Sequence, residues 1–251
     1  MVIEPSFGGA AEDWVKIAHQ LSEEMTVVTY DRAPYGASSA ARDARTPQEI
    51  AADLGCLLTE LGVAGPLVLV GHSAGGVYVR AYAAEHLDRV VGMVLVESSH
   101  ENQRKMLDPL RSRKARLQMA FMVWSIMREP VEKRRGADPR SVIREWRAFR
   151  RATAQASFLA AGALGDRPLA VLTCAPGDPA VPDRVYQGWR DLHRDLAQLS
   201  ANSRHEVSLS PSHYLMAGDP ELVTTAIRDV VRCARSGEKL FEVAAARAEE
   251  N

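Results

Sequence analysis

The chain has 251 residues, 46% of them hydrophobic, enough to bury the core of one domain carrying a modest insertion. A formal net charge of −1 and a pI of about 6.7 provide no global field toward nucleic acid or an anionic membrane, so neither is an expected partner. Cys56, Cys174 and Cys233 are odd in number and form no CxxC or Cys/His metal spacing, so they read as cytosolic thiols, with no metal expected.

The opening MVIEPSFGGAAEDW lacks basic residues followed by a long apolar run, and the apolar stretches elsewhere fall short of the roughly 20 residues that span a bilayer. The expectation is a soluble cytoplasmic protein.

In chain order, short apolar and β-branched runs at Met1–Ile3, Thr26–Tyr30, Leu67–Val70, Val90–Val96, Leu169–Thr173 and Glu206–Leu209 predict strands. Helical patterns alternate with them. Ile50, Leu54, Leu57, Leu58 and Leu61 recur at helical spacing, and Asp219-Pro220 supplies an N-cap and first-turn proline for a helix over Glu221–Arg232. KLFEVAAARAEEN at the end reads as a short amphipathic helix. This alternation predicts an α/β fold, a mostly parallel sheet flanked by helices.

The alternation breaks between about His100 and Gly165, giving an expected division into a core of residues 1–99 and 166–251 and a helical cap or lid of residues 100–165. From Glu101 to Arg151 fifteen Lys/Arg face six Asp/Glu, which marks either solvated helix faces or a surface that attracts an anionic substrate or acidic partner. Leu117–Met127 is apolar around most of a helix. Core packing explains that, and Met119, Phe121, Met122 and Trp124 would equally suit an adaptable substrate pocket.

Gly71-His72-Ser73-Ala74-Gly75 fits G-x-S-x-G, the nucleophile elbow, in which a serine sits on a sharp strand-to-helix turn. The pattern alone is weak. Its context is specific: Leu67–Val70 before it reads as a buried strand, and Gly76–Ala84 after it as a helix. Ser73 is therefore the candidate nucleophile.

A serine hydroxyl needs a base, and histidine is the natural one. Of seven histidines, His72 lies inside the elbow and His19, His86 and His193 lie in helical stretches. His205 falls inside a strand and His100 just beyond one. His213 occupies the loop Ser210–Tyr214 between the last strand and the proline-capped helix, where strand ends of an open sheet face the crevice, and is the candidate base. The base needs an orienting carboxylate. Glu97, ending the strand Val90–Val96, and Asp178, in the loop after Leu169–Thr173, both satisfy the order, and position alone does not separate them. For the oxyanion hole the candidate backbone donors are Ala74, directly after the nucleophile, and Phe7, in the glycine-rich Pro5–Gly9 loop.

GHSAGG (71–76), YDRAPYGAS (30–38), VGMVLVESSH (91–100) and SHYLMAGDPELV (212–223) together resemble the α/β-hydrolase fold superfamily, and within it small bacterial serine hydrolases with a helical cap after the sixth strand. Compared with the family the chain begins at what would be the third strand, so that either the sheet is trimmed, its first two antiparallel strands being absent or replaced, or an N-terminal segment is missing. The usual His-Gly pair ahead of the oxyanion loop reads Pro5-Ser6, and a usual glycine reads Pro34. The resemblance favours Glu97 over Asp178, because capped relatives commonly carry the acid at the end of the sixth strand. It implies a cofactor-independent hydrolase of carboxylic esters, thioesters or lactones acting through an acyl-serine, on a small acyl substrate for which an anionic class is one expectation. The alternatives are other chemistry on the same residues, such as a carbon-carbon bond hydrolase or hydroxynitrile lyase, and a ligand-binding or sensor protein without turnover.

Overall fold

The computed structural model describes residues 1–39, 45–110, 139–154, 158–177 and 181–250. Six strands form one sheet: β1 (Val2–Glu4), β2 (Val28–Thr29), β3 (Leu67–His72), β4 (Val90–Val96), β5 (Leu169–Thr173) and β6 (Ser203–Val207). Their spatial order is β2-β1-β3-β4-β5-β6, and every neighbouring pair is parallel. Each parallel neighbour needs a crossover, and the helices supply it. They are α1 (Val15–Ser22), α2 (Pro47–Glu60), α3 (Ala74–Glu85), α4 (Gln103–Leu107), α5 (Pro139–Ala152), α6 (Asp183–Ala197), α7 (Leu215–Gly218), α8 (Pro220–Ser236) and α9 (Leu240–Glu250).

The pleat divides the strand residues between two apolar layers. Ile3, Val68, Val70, Val94, Val96, Ala170 and Leu172 pack with Trp14, Ile17 and Leu21 around α1 and with Val223, Ile227 and Val230 of α8. On the other face Val2, Leu67, Leu69, Met93, Leu95, Leu169 and Val171 pack against Leu54 and Leu58 of α2 and Val79 and Tyr82 of α3. A sheet buried on both faces reads as continuous apolar runs, which is how β3, β4 and β5 stand in the sequence.

The Asp219 cap behaves as the sequence predicts, accepting from Leu222 N–H, and Thr46 and Glu49, which the sequence reading did not single out, close a capping box at the start of α2. Several boundaries differ, β2 among them, which is confined to Val28–Thr29 within the expected Thr26–Tyr30. β3 runs on to His72, because pairing with β4 continues to Val96. β6 begins at Ser203 rather than Glu206, since backbone pairing with Leu169–Thr173 recruits polar residues at the sheet edge. Leu61 is exposed, because α2 ends one residue before it. Cys56, Cys174 and Cys233 are free thiols, and among the described residues no helix is long and apolar enough to cross a membrane.

The sheet order reverses direction at β1 and β3, the chain running outward to β2 on one side and to β4 on the other. The crevice beyond the carboxyl ends of two such strands is where open α/β sheets bind ligands. Glu4–Gly9 leaves β1 there, and Ser73 leaves β3.

Candidate active site

Ser73 alone separates β3 from α3, at φ 54° and ψ −118°, a conformation costly for a side-chain-bearing residue. The surroundings fix it. Ser73 N–H donates to Val96 O at 3.1 Å, and Ser73 O accepts from Ser99 N–H at 2.8 Å. A Cβ on Gly75 would stand 2.2 Å from Glu4 O, and one on Gly71 would stand 2.6 Å from Gly76 Cα, so glycine is required on both sides. The Ser73 hydroxyl makes no capping bond to α3. Ala74 opens that helix, so its N–H has no acceptor within the helix and is directed toward the crevice end.

His213 lies between β6 and α7, and its Nδ1 is 2.9 Å from Glu97 Oε2. Its own carbonyl accepts from His72 Nε2 at 2.9 Å, with the two rings 4.9 Å apart. The residue before Ser73 thus holds the loop that carries His213. Burial, with His213 close by, pushes the His72 imidazole down to about 3. It is neutral at ordinary pH, and the carbonyl acceptor fixes its remaining proton on Nε2.

Glu97 is the first residue beyond β4, 2% exposed and at φ 47°. Its carboxylate accepts from Cys174 N–H at 2.7 Å and from Trp189 Nε1 at 3.2 Å to each oxygen. Burial alone would raise its pKa. The hydrogen bond from His213 and the Cys174 amide outweigh that and hold it at about 2. An ionised carboxylate aimed at Nδ1 leaves Nε2 of His213 as the proton acceptor.

The other histidines have different partners. His193 is fully buried between Thr173 Oγ1 at 2.5 Å and Ser98 O at 2.9 Å, and burial lowers it to about 4. His205 meets Thr173 Oγ1 at 2.7 Å, and His100 Nε2 meets Asp195 Oδ2 at 2.8 Å. His19 is exposed. Asp178, Met119, Phe121, Met122 and Trp124 lie outside the described residues.

Ser6–Gly9 is a tight turn closed by Gly9 N–H to Ser6 O at 3.1 Å, with Gly8 at φ 74°. Phe7 stands at its corner, 5.4 Å from the Trp146 ring and 6.1 Å from that of Tyr35. The loop is anchored by Arg32, which sequence reasoning did not single out. Its Nη1 donates to Pro5 O at 3.0 Å and to Glu4 Oε1 at 2.5 Å, and its Nη2 to Ser6 O at 3.1 Å and Glu145 Oε1 at 2.9 Å. Tyr78 Oη of α3 donates to the same Glu145 oxygen at 2.9 Å, and Tyr30 Oη to Glu4. Arg32 stands within the YDRAPYGAS motif. Glu145 is the single acid of α5, spaced with the buried Val142 and Phe149 on one helix face, and that spacing is the signal that would have found it.

A family model described as alpha/beta hydrolase fold matches residues 1–124. The chain belongs to the α/β-hydrolase fold superfamily. It is 26% identical to the uncharacterized protein YqjL of Bacillus subtilis over 92% of this chain and 82% of that one. It is also 26% identical to an AB hydrolase superfamily protein of Gibberella zeae, over 93% and 86%. Among solved structures, a thermophilic esterase from Thermogutta terrifontis superposes with a TM-score of 0.67 at 23% identity, covering 93% of this chain and 89% of that one. The enol-lactonase from Burkholderia xenovorans LB400 superposes at 0.65 and 21% identity, covering 92% and 90%. These two likenesses carry the fold.

Proposed function

We propose that this α/β-hydrolase is a serine hydrolase that cleaves a carboxylic ester, thioester or lactone. The carrying observation is the 2.9 Å contact of His213 Nδ1 with the buried Glu97 carboxylate, in a loop tied to the residue preceding Ser73.

In this reading His213 Nε2 takes the hydroxyl proton as Ser73 Oγ attacks the acyl carbon. The Ala74 and Phe7 N–H groups receive the oxyanion. The imidazolium then protonates the departing alcohol or thiol, leaving an acyl-Ser73 ester. His213 next deprotonates a water that attacks this ester, and the proton returns to Ser73 as the acid leaves. Glu97 holds the tautomer and balances the imidazolium charge. The esterase and lactonase among the superposed structures favour acyl chemistry. The free thiols and near-neutral charge support a cytoplasmic setting with a small-molecule substrate, and the chemistry needs no cofactor.

The test is labelling with a fluorophosphonate, combined with turnover of short and long acyl esters, thioesters and lactones. Labelling at Ser73 with turnover of one class supports the reading and names the class. Neither labelling nor turnover by folded protein overturns it in favour of a binding or sensor role.

A further inference from the structure

Behind Trp146 a groove of about 350 Å³ is lined by Arg104 of α4 and by Trp146, Arg147, Arg150 and Arg151 of α5. We propose that this groove binds a phosphate group carried by the acyl substrate, so that the enzyme's substrates are phosphorylated esters or thioesters.

The charge pattern of α5 is the first support. It carries five arginines, at positions 140, 144, 147, 150 and 151, and one acid, Glu145. That acid is turned inward and is held by Arg32 and Tyr78. Among the described residues no carboxylate lines the groove. Asp108, 3.6 Å from Arg104, is outside the lining. Arginines in the last turn complement a helix dipole, which accounts for Arg150 and Arg151. It does not account for Arg147, or for Arg104 arriving from a different helix. Converging like charges repel, and a bound oxyanion reverses the sign of that term.

Position is the second support. Phe7, Trp146 and Phe149 pack with Ala74 and Tyr78 in one apolar cluster. Trp146 thus packs against the cluster that holds Ala74, the residue after Ser73, and also lines the groove: Phe7 lies 5.4 Å from its ring, and the Arg150 guanidinium 5.8 Å. Phe149 stacks on it at 6.4 Å, which leaves Trp146 as a wall rather than a platform for a nucleobase. An acyl chain along this wall would have its reactive end at Ser73 and its charged end among the arginines.

Charge number selects phosphate. Guanidinium forks bind both carboxylate and phosphate bidentately, but Arg147, Arg150 and Arg151, beside an Arg104 already ion-paired with Asp108, exceed what one carboxylate neutralises and suit a group of charge near −2.

The inference rests on the acyl-transfer reading, and the test separates the two. Wild type and the Arg147→Gln/Arg150→Gln variant are compared on S-butyryl-phosphopantetheine and on S-butyrylpantetheine, the same thioester without phosphate. Inorganic pyrophosphate is titrated into both proteins by calorimetry at low salt. The expected result is a fall of about tenfold or more in the phosphorylated-to-neutral ratio of kcat/KM, together with loss of pyrophosphate binding. Absence of pyrophosphate binding to wild type with a ratio unchanged within about twofold overturns the site. An equal or larger effect on mono-p-nitrophenyl glutarate relative to p-nitrophenyl butyrate overturns phosphate in favour of carboxylate. Arginine-dependent pyrophosphate binding without turnover of any thioester or ester leaves the site standing and removes the acyl-transfer reading. If the double variant fails to fold, Arg104→Gln, on the other helix, supplies the same readouts.

Discussion

Glu145 Oε1 sits 2.9 Å from Arg32 Nη2 across 113 residues of sequence, and neither side chain is more than 1% exposed. The same guanidinium holds Glu4 and the carbonyls of Pro5 and Ser6, so one buried cation joins the end of β1, the candidate oxyanion loop and α5. Breaking a buried pair leaves an uncompensated charge, at a cost of about 3–5 kcal/mol. Arg32→Met strands two carboxylates and should lose about that much in urea unfolding. Glu145→Gln keeps the shape and an acceptor, leaves Arg32 paired with Glu4, and should lose roughly 1–3 kcal/mol. A larger loss for Glu145→Gln than for Arg32→Met would show that Arg32 is not the hub of the network.

Ser73→Ala should remove labelling by a fluorophosphonate and lower kcat by up to about 10⁶, as losing the nucleophile does in a serine hydrolase. Circular dichroism should be unchanged, because the turn is held by the Val96 and Ser99 backbone bonds and by the glycines at 71 and 75 rather than by the hydroxyl. Retention of more than about a tenth of wild-type kcat would take Ser73 out of the chemistry.

Where apolar period and turn chemistry decide the outcome, the sequence is legible. The runs of β3, β4 and β5, the Asp219 cap, and the glycines flanking Ser73 all follow from local rules. Leu61 and β6 do not, because helix ending and edge pairing are settled by neighbours distant in sequence. The same is true of the site. Glu97 and Asp178 could not be distinguished by position. The contact of Glu97 with His213 spans 116 residues and depends on where two loops leave the sheet. Arg32 looks like an ordinary surface charge until the fold buries it against Glu4 and Glu145.

The acid limb of stability should be steep. His72 is held down at about 3 and His193 at about 4, mainly by burial, against an unfolded value of 6.5. Below pH 6.5 the unfolded chain binds protons that the folded chain refuses, so stability is full above that pH and declines as pH falls toward 4 and then 3. From pH 7 to pH 5 each of these histidines should remove about 2 kcal/mol. Glu97, lowered from 4.5 to about 2, adds a further decline only below about pH 4.5. Urea titrations of wild type and His193→Gln at both pH values check this. The variant should show a drop smaller by about 2 kcal/mol, and an identical drop would mean that His193 is charged in the folded protein.

The last prediction concerns which carboxylate orients His213. Glu97→Gln preserves size, and its amide oxygen can still accept from Cys174 N–H and Trp189 Nε1. The group facing His213 becomes an amide, however, and an amide N–H turned toward Nδ1 makes that nitrogen the acceptor. The ring proton then moves to Nε2, the position that must be empty to take the Ser73 proton. In serine hydrolases this tautomer error costs about 10⁴ in kcat while leaving geometry intact. Trp189→Phe removes donors to the carboxylate without changing its charge and should cost far less, about tenfold, through a looser Glu97. Asp178→Asn should remain within about tenfold of wild type if its proline- and glycine-rich surroundings make a turn and nothing more. The three variants are assayed together on the best ester, with covalent labelling as a second readout. Inactivity of Asp178→Asn alongside an active Glu97→Gln would transfer the orienting role to Asp178, and the 2.9 Å contact of Glu97 with His213 would then be structural.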